Sequence, residues 1–366
     1  MALSLSRQEV CRLRFRAQRL THQSSGRSIP EVVQQLCGIQ AQELPAAVLS
    51  LRPRTNGLLA NAVEQARVVE RSIVRVWGPR GTLHLLAATD LKWLLSLFGP
   101  VFNAGNKKRR VELGLDEEAC TRGSKLLRNI LAEHGPLTRA EIVAHLAAKG
   151  LRLEGQAVPH FLGYCALNGL LCWGLMKAGE PTYILLMDWL EDWKFLPASE
   201  SNPYPELALR YLAAYSPAQP EDFASWSGLS LKEIRPAWKE IANQLLEVQI
   251  EQQIAWMLKT QADWLEELAS TPLSVRLLPR YDTYLLGYRS RDFMVDTTYA
   301  KRINAGGGII HPTIVVDGQV LGVWKTKKQK DGLKVLIEPF EPLTSEVQAG
   351  IEAEIQDLVR FSGNDK

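Results

Sequence analysis

Two glutamines stand two residues apart in the stretch GIQAQE, at Gln40 and Gln42. A glutamine amide offers two N–H donors and a carbonyl acceptor, and it takes up no proton at neutral pH. A convergent pair could therefore hold and orient a water molecule but could not activate that water by removing a proton. Such a device suits a hydrolysis whose leaving group is already good. The alternative is an ordinary polar surface, because glutamine is mostly exposed in soluble proteins.

The local pattern predicts that the two side chains share one side of the chain. Residues two apart point in nearly opposite directions on a helix, whereas they share a side in an extended segment. The preceding helix, in SIPEVVQQLCGIQ, has Ser28 as its N-cap with Glu31 three residues later, and Gly38 is a natural C-terminal breaker. Gln40 and Gln42 therefore follow a helix end.

Length and composition describe a globular chain of several domains. The 366 residues exceed one ordinary core, and the 46% hydrophobic and 23% charged residues are ordinary globular values. No apolar run is long enough to span a bilayer, so we expect a cytoplasmic protein without a membrane partner. The five cysteines are scattered without a CxxC pair, which indicates packed, reduced thiols.

Other motifs that carry chemistry are missing from the sequence. The six histidines form no HExxH or similar metal-ligand spacing. The motifs GxSxG, GxxxxGK[ST] and a strand-to-helix GxGxxG are also absent. We therefore expect neither a metal nor another cofactor.

Charge is distributed unevenly along the chain. Residues 1–110 contain 17 Lys and Arg against 6 Asp and Glu, a net charge of +11, and the remaining residues carry 26 against 34, a net charge of −8. Such asymmetry indicates a polyanion-binding face in one part of the chain. A solvated basic surface is the alternative.

The order of predicted elements repeats along the chain. In residues 1–115, helices in residues 7–20, SIPEVVQQLCGIQ and TNGLLANAVEQARVV precede two strands, SIVRVWG and GTLHLLA, which Pro79-Arg80-Gly81 joins. Three helices and a hairpin are the plan of a winged helix. Similar orders in residues 116–195 and 196–270 predict two further units.

The character of the sequence changes in residues 271–366. β-Branched residues and an Asp317-Gly318 turn predict a small mixed or β-barrel-like domain, closed by a helix in SEVQAGIEAEIQDLVRF. The predicted fold class is therefore α+β, with three tandem winged-helix units followed by this C-terminal domain.

Four motifs occur in order along the chain: GIQAQE after a capped helix, VWGPRGTLHLL followed by Asp90, RYDTYLLGYRSRD, and HPTIVVDGQVLGVW. Together they resemble the AlkZ-like superfamily of winged-helix DNA glycosylases. The likeness covers nearly the whole chain. It implies three tandem winged helices and a C-terminal β-barrel around a basic channel for duplex DNA. It also implies excision of alkylated purines, including bulky adducts and, in some branches, interstrand crosslinks.

The resemblance also implies which residues act. The catalytic motif of the family, a glutamine, an aliphatic residue and then a glutamine or aspartate, falls on Gln40, Ala41 and Gln42, as in a double-glutamine branch. A hairpin within residues 303–324 matches one that approaches DNA in the family. The chain departs from the family at Tyr288, where we expect histidine, and at Ala305-Gly306, where we expect an Asn-Gly turn. These departures concern the contacts of the hairpin more than the catalysis.

The implied reaction suits a pair of glutamines. Alkylation at N7 or N3 of a purine makes the base cationic and weakens its N-glycosidic bond, so no general acid is needed. The enzyme must place a water molecule and stabilise an oxocarbenium-like sugar, as in glycoside hydrolysis. Two amide oxygens directed at C1′ could do both. No lysine adjoins the pair to form a Schiff base, so we expect a monofunctional enzyme.

Basic residues are expected to contact the DNA backbone and to make binding weaken steeply with salt. The candidates are Arg12, Arg16, Arg52, Arg54, Arg80, His84, Lys107, Lys108, Arg109, Arg110, Arg289, Arg291, His311, Lys325 and Lys327. The expected partner is double-stranded DNA with alkylated bases, bound by a monomer associated with the nucleoid.

Two other functions remain open from the sequence. A winged-helix regulator would bind DNA without catalysis, although repressors usually carry one winged helix per subunit and dimerise. A protein-interaction scaffold built from winged helices would show no salt-sensitive DNA binding.

Overall fold

The structure is a computed structural model that describes residues 3–21, 26–193, 202–304, 306, 308–329 and 332–363. The chain divides into two compact units, one formed by Met1–Val63 with Tyr204–Lys366 and the other by Glu64–Pro203. The segment 1–115, predicted as one domain, is thus shared between the units, and the division into four domains stays a prediction. No helix in the described ranges is long and apolar enough to cross a membrane.

Helices and strands of the described residues alternate along the chain, with short 3-10 turns between some of them. The helices are α1 (Arg7–Ala17), α2 (Ile29–Gln35), α3 (Leu44–Leu51), α4 (Ala60–Val68), α5 (Leu91–Gly105), α6 (Lys107–Glu112), α7 (Glu117–His134), α8 (Arg139–Ala148), α9 (Ala157–Leu167), α10 (Leu186–Trp189), α11 (Tyr204–Tyr215), α12 (Pro220–Ser227), α13 (Leu231–Glu240), α14 (Asp263–Glu267), α15 (Thr283–Leu286), α16 (Ala300–Ile303) and α17 (Ser345–Phe361). The strands are β1 (Leu3–Leu5), β2 (Ile39–Gln40), β3 (Ile73–Trp77), β4 (Leu83–Ala87), β5 (Leu137–Thr138), β6 (Leu171–Lys177), β7 (Glu180–Leu185), β8 (Leu245–Ile250), β9 (Gln253–Leu258), β10 (Val275–Leu278), β11 (Thr313–Val316), β12 (Gln319–Gln329) and β13 (Gly332–Pro339).

Local signals explain several helix boundaries near the N-terminus. Ser28 and Glu31 form the predicted reciprocal capping box at the start of α2. α1 ends before the predicted Leu20, and Arg19 takes a left-handed φ of 58°. α3 was not predicted from the sequence. Pro45 lies in its first turn, where a missing N–H costs no hydrogen bond.

In the unit Glu64–Pro203, β3 and β4 form the predicted hairpin, with Ile73 opposite Ala87. Its turn places Arg80 at a left-handed φ of 56°. Further along the chain, α7, α8 and α9 precede the β6–β7 hairpin, and β5 pairs with β7. This is the order predicted for residues 116–195. The number of winged helices in the whole chain stays a prediction.

In the other unit, α11, α12 and α13 precede the β8–β9 hairpin. The N-terminal β1 joins this hairpin as a parallel neighbour of β8, with Leu3 opposite Val248. Aromatic rings pack between the helices, and the Tyr211 ring stacks on Tyr215 at 4.9 Å and lies tilted against Phe223 at 5.0 Å. Leu5 of the N-terminal strand belongs to one core cluster with Val248 of β8 and Met257 of β9, which are far away in the sequence.

The C-terminal sheet is open, which corrects the expectation of a β-barrel-like domain. Its antiparallel strands follow the order β10-β11-β12-β13, so β10 and β13 are the outer strands in the described part of the chain. Asp317 and Gly318 form the predicted β11–β12 turn, with φ of 47° and 85°. Val347 and Ile351 of α17 pack against Val275 of β10. Because a helix covers the apolar side, the sheet can bury that side without closing.

All five cysteines are free and buried, as predicted. Burial raises the pKa of Cys165 to about 12 and that of Cys11 to about 11. It also raises the pKa of Cys172. These three thiols are therefore protonated at neutral pH and are poor nucleophiles.

Candidate active site at the glutamine pair

The chain turns sharply between α2 and the glutamine pair. Cys37 and Gly38 take left-handed φ values of 53° and 104°, and the N–H of Gly38 donates to the carbonyl of Val33 at 2.9 Å. The buried Tyr215 hydroxyl donates to the Leu36 carbonyl at 3.3 Å. The helix therefore ends before the glutamines, as predicted, and a hydrogen bond from α11 holds its end.

Burial alternates along residues 39–42. Ile39 and Ala41 are fully buried, whereas Gln40 is half-buried and Gln42 is exposed. Alternation of this kind places the two apolar side chains on the inner side and the two glutamines on the accessible side. Whether the two amides converge on one sugar carbon stays a prediction.

Glu43 and Arg280 lie beside the pair, and the sequence alone predicts a role for neither. Glu43 follows Gln42 and precedes α3, and an Arg280 Nη1 lies 2.9 Å from its carboxylate. Both residues belong to motifs that are visible in the sequence, because Glu43 ends GIQAQE and Arg280 begins RYDTYLLGY. What the sequence could not show is that the two motifs meet.

Arg54 is not available to DNA, which corrects its assignment as a phosphate contact. Its side chain has no exposed surface, and it meets Asp282 at 2.6 Å. It also donates to the carbonyls of Ser50 at 2.7 Å and Gln18 at 3.0 Å. A guanidinium inside the protein with these partners stabilises the fold and cannot reach a phosphate.

Arg52 requires the same correction. Its side chain is fully buried, and it meets Glu354 at 2.7 Å and Asp357 at 2.6 Å, both on α17. It also donates to the Leu277 carbonyl at 3.0 Å. Arg52 therefore ties α17 and β10 to the end of α3.

Arg12 and Arg16 are partly accessible and already ion-paired. Arg12 meets Asp317 at 2.6 Å with 26% of its side chain exposed, and Arg16 meets Glu267 at 2.6 Å with 17% exposed. A phosphate contact by either residue would have to compete with the carboxylate. Both contacts stay predictions.

His84 is buried in the β3–β4 hairpin, which corrects its assignment as a DNA contact. Its Nδ1 lies 3.0 Å from the Thr82 carbonyl, and the ring packs against Gly78. Burial, together with the nearby charge of Arg80, lowers the pKa of His84 to about 3. The imidazole is therefore neutral at physiological pH and shielded from any phosphate.

The basic run on α6 is divided by burial. Lys107, Lys108 and Arg109 are exposed, and Arg109 meets Glu112 at 3.0 Å. Arg110 is buried instead, and it donates to the Asn103 carbonyl at 2.8 Å. The predicted phosphate contact of Arg110 is thus corrected to an internal hydrogen bond. The first three residues remain candidates, as does the half-buried Arg80.

The C-terminal candidates differ in exposure. Arg289, Lys325 and Lys327 are exposed, and Lys325 lies 2.5 Å from Glu338. Arg291 is half-buried and donates to the Leu285 carbonyl at 2.6 Å. His311 is half-buried and lies in the segment 303–324 of the predicted DNA-facing hairpin, in which Ala305 lies outside the described residues. The DNA contacts of these five residues stay predictions.

Comparison with known proteins identifies the family. A family model described as DNA glycosylase AlkZ-like matches residues 33–361. The chain belongs to this family. One relative, the interstrand DNA cross-link repair glycosylase of Streptomyces sahachiroi, is 29% identical over 360 residues, which are 92% of this chain and 91% of the relative.

A solved structure supports the same membership. The DNA glycosylase AlkZ of Streptomyces sahachiroi matches with a TM-score of 0.83 and 27% identity, over 99% of this chain and 98% of that chain. The resemblance drawn from four short motifs is confirmed, and the chain is a DNA glycosylase of the AlkZ-like family. Its assignment to a double-glutamine branch stays a prediction.

Proposed function

We propose that this glycosylase hydrolyses the N-glycosidic bond of purines alkylated at N7 or N3 in double-stranded DNA, and that Gln40 and Gln42 are its catalytic residues. The observation that carries the proposal is the alternation of burial at residues 39–42, which buries Ile39 and Ala41 and leaves Gln40 half-buried and Gln42 exposed after the end of α2. Family membership supplies the class of reaction.

The chemistry of the pair restricts the substrate. Neutral amides can orient a water molecule and stabilise a developing positive charge on the sugar, but they cannot protonate a leaving base. A cationic alkylated purine leaves without protonation, whereas a normal purine does not. The enzyme would thus spare normal bases because its catalyst is mild.

The enzyme is proposed to be monofunctional. A bifunctional glycosylase needs an amine that attacks the sugar and forms a Schiff base. Residues 29–54, which carry the pair and both flanking helices, contain no lysine.

Bulky adducts and interstrand crosslinks belong to the proposed substrate range. The relative from Streptomyces sahachiroi is named as an interstrand cross-link repair glycosylase. The proposed architecture comprises three winged helices that present basic residues to the duplex. The exposed candidates are Lys107, Lys108, Arg109, Arg289, Lys325 and Lys327. A monomer would suffice, because one lesion requires one site.

Base release from a duplex that contains N7-methylguanine tests the proposal. We expect Gln40→Ala and Gln42→Ala each to lower the single-turnover rate of release by about 100-fold, the scale at which a group that stabilises the transition state acts. Gln65→Ala removes an exposed glutamine on α4 and is the matched control. It should leave the rate unchanged.

A contrary result has a clear meaning. If no base is released from N3- or N7-alkylated duplexes, or if Gln40→Ala and the wild type behave alike, the proposed reaction is wrong. Tight, sequence-selective DNA binding without base release would favour a DNA-binding protein that lacks catalysis.

A further inference from the structure

Residues 280–282 are ion-paired to the segments on both sides of α3. Before the helix, Glu43 meets Arg280 at 2.9 Å, and after the helix, Arg54 meets Asp282 at 2.6 Å. The tripeptide thus pairs with the residue just before α3 through Arg280 and with a residue shortly after α3 through Asp282. We call residues 280–282 the clamp.

The Asp282 side of the clamp is fixed in the interior. Asp282 and Arg54 are both fully buried, and two N–H groups of Arg54 meet the two carboxylate oxygens at 2.6 and 2.8 Å. The same carboxylate accepts the N–H of Tyr284 at 3.0 Å and so caps α15. Separating such a pair would leave a buried charge without a partner, so this side has little freedom to move.

Tyr281 lies between the two charged residues in an unfavourable backbone conformation. Its φ is 57°, in the left-handed region that a bulky L-residue rarely adopts. A conformation of this kind persists only where the surroundings impose it, and such residues cluster at functional sites. Here the neighbours on both sides are ion-paired.

The Arg280 side of the clamp is partly exposed to water. The side chains of Arg280 and Glu43 keep 35% and 42% of their surfaces accessible, and an ion pair so exposed contributes little to folding stability. The Nε of Arg280 is buried with no hydrogen-bond partner in the described part of the chain, an arrangement that costs free energy. Folding stability alone therefore does not account for this pair.

We propose that Arg280 is a positioning residue for the glutamine pair. It holds Glu43, which fixes the backbone immediately after Gln42 and so sets the direction of the Gln42 amide. The inference rests on the proposed function of Gln40 and Gln42. Neutral amides act through placement more than through charge, so a small shift of this backbone is expected to lower the rate.

Rate measurements use the variants Arg280→Gln, Arg280→Lys, Glu43→Gln and the double variant Arg280→Gln/Glu43→Gln. We expect each glutamine variant to lower the single-turnover rate of base release by about 10-fold, and the double variant to lower it no further, because all three break one contact. Arg280→Lys keeps the charge and should restore most of the rate. DNA affinity should change by less than about 3-fold, since the contact is internal.

A direct contact between Arg280 and DNA makes the opposite prediction. In that case Arg280→Gln would weaken binding and lower its dependence on salt, whereas Glu43→Gln would not weaken binding. This pattern would overturn the inference.

Backbone amide hydrogen exchange at residues 40–44 gives a readout that does not depend on catalysis. We expect faster exchange in Arg280→Gln than in the wild type, with little change in Tm, because the segment loses its tether. Arg210→Gln is the matched control, since it breaks an ion pair with Glu206 of 2.8 Å on α11 of the same unit. The control should leave exchange at residues 40–44 unchanged.

The two measurements separate failure of the inference from failure of the proposed reaction. Unchanged exchange at residues 40–44 in Arg280→Gln overturns the inference whatever the rate does, and faster exchange with an unchanged rate overturns the positioning role. If the wild type releases no base but exchange at residues 40–44 is faster in Arg280→Gln, the proposed reaction is wrong. The inference that Arg280 holds this segment is then still supported.

Discussion

At the scale of single residues, His84 shows how burial decides the chemistry of a side chain. Its ring is almost fully buried in the β3–β4 hairpin, and its hydrogen bond to the Thr82 carbonyl requires a proton on Nδ1. The surroundings that exclude water also exclude the charged form. A histidine in a predicted wing, which suggested a DNA contact, is thus a neutral packing residue.

The buried His84 predicts that the folded protein is destabilised by acid. Its folded pKa of about 3 lies below the unfolded value of roughly 6.5, so the unfolded chain binds more protons between these pH values. His84 therefore has little effect on the free energy of unfolding above about pH 6.5. As the pH is lowered from 7.5 to 5.5, this group lowers the free energy of unfolding by about 1.4 kcal/mol.

Urea unfolding at pH 7.5, 6.5 and 5.5 checks this prediction. His84→Asn keeps an N–H donor for the Thr82 carbonyl and removes the titrating group. We expect its unfolding free energy to fall less than that of the wild type over this range. Parallel pH curves for the two proteins would contradict a neutral, buried His84.

At the scale of elements, the β11–β12 turn combines a local signal with a tertiary contact. Asp317 and Gly318 have the positive φ values that an Asp-Gly hairpin turn requires. The turn also packs on α1, because a Cβ on Gly318 would lie 2.3 Å from the Cys11 carbonyl oxygen. The Tyr284 hydroxyl donates to the Gly318 carbonyl at 2.6 Å. Glycine is therefore needed here for two independent reasons.

The variants Gly318→Ala and Gly306→Ala distinguish the effect of the positive φ from the effect of the close contact with α1. Both residues have positive φ, at 85° and 86°, but no described atom lies within 4 Å of a Cβ on Gly306. We expect Gly306→Ala to lower the free energy of unfolding by about 1 kcal/mol and Gly318→Ala by about 3 kcal/mol, because only the second forces α1 and the turn apart. Equal losses in urea unfolding would show that the contact with α1 is adaptable.

At the scale of the whole molecule, the uneven distribution of charge has an internal explanation. Arginines of the N-terminal segment pair with acidic residues of the C-terminal segment in the same unit. The pairs include Arg12 with Asp317, Arg16 with Glu267, Arg52 with Glu354 and Arg54 with Asp282, each at 2.6 or 2.7 Å. Part of the asymmetry that indicated a polyanion-binding face therefore holds the two segments of one unit together.

The exposed cations on α6 are therefore better candidates for DNA contacts than these paired arginines, and they allow a test of DNA binding by the unit Glu64–Pro203. Each phosphate contact contributes about 0.9 to the slope of log K against log salt concentration. We expect the triple variant Lys107→Gln/Lys108→Gln/Arg109→Gln to reduce this slope by between about 0.9 and 2.7, measured by fluorescence anisotropy with an undamaged duplex.

A second triple variant controls for net charge alone. Arg122→Gln/Lys125→Gln/Arg128→Gln removes the same charge from exposed positions on α7 of the same unit. It should change the slope less. Equal reductions in the two triple variants would mean that the α6 residues act only through the net charge of the protein.

The sequence by itself determined the features that depend on near neighbours. The Ser28–Glu31 capping box, the end of α2 before Gln40, and the Asp317-Gly318 turn each follow from residues within a few positions of one another. The family resemblance, too, was carried by short motifs in order. α3 was not predicted, although Pro45 in its first turn is a residue that commonly begins a helix.

Only the tertiary structure decided which cations face the solvent. Arg54 and Arg109 are the same residue type in basic stretches of sequence, yet Arg54 is fully buried against Asp282 whereas Arg109 is exposed on α6. Solvation and pairing of a charge depend on neighbours in space, and Arg54 and its partner are separated by 228 positions in the chain. The meeting of Glu43 with Arg280 has the same origin, because no local pattern in either motif encodes the other.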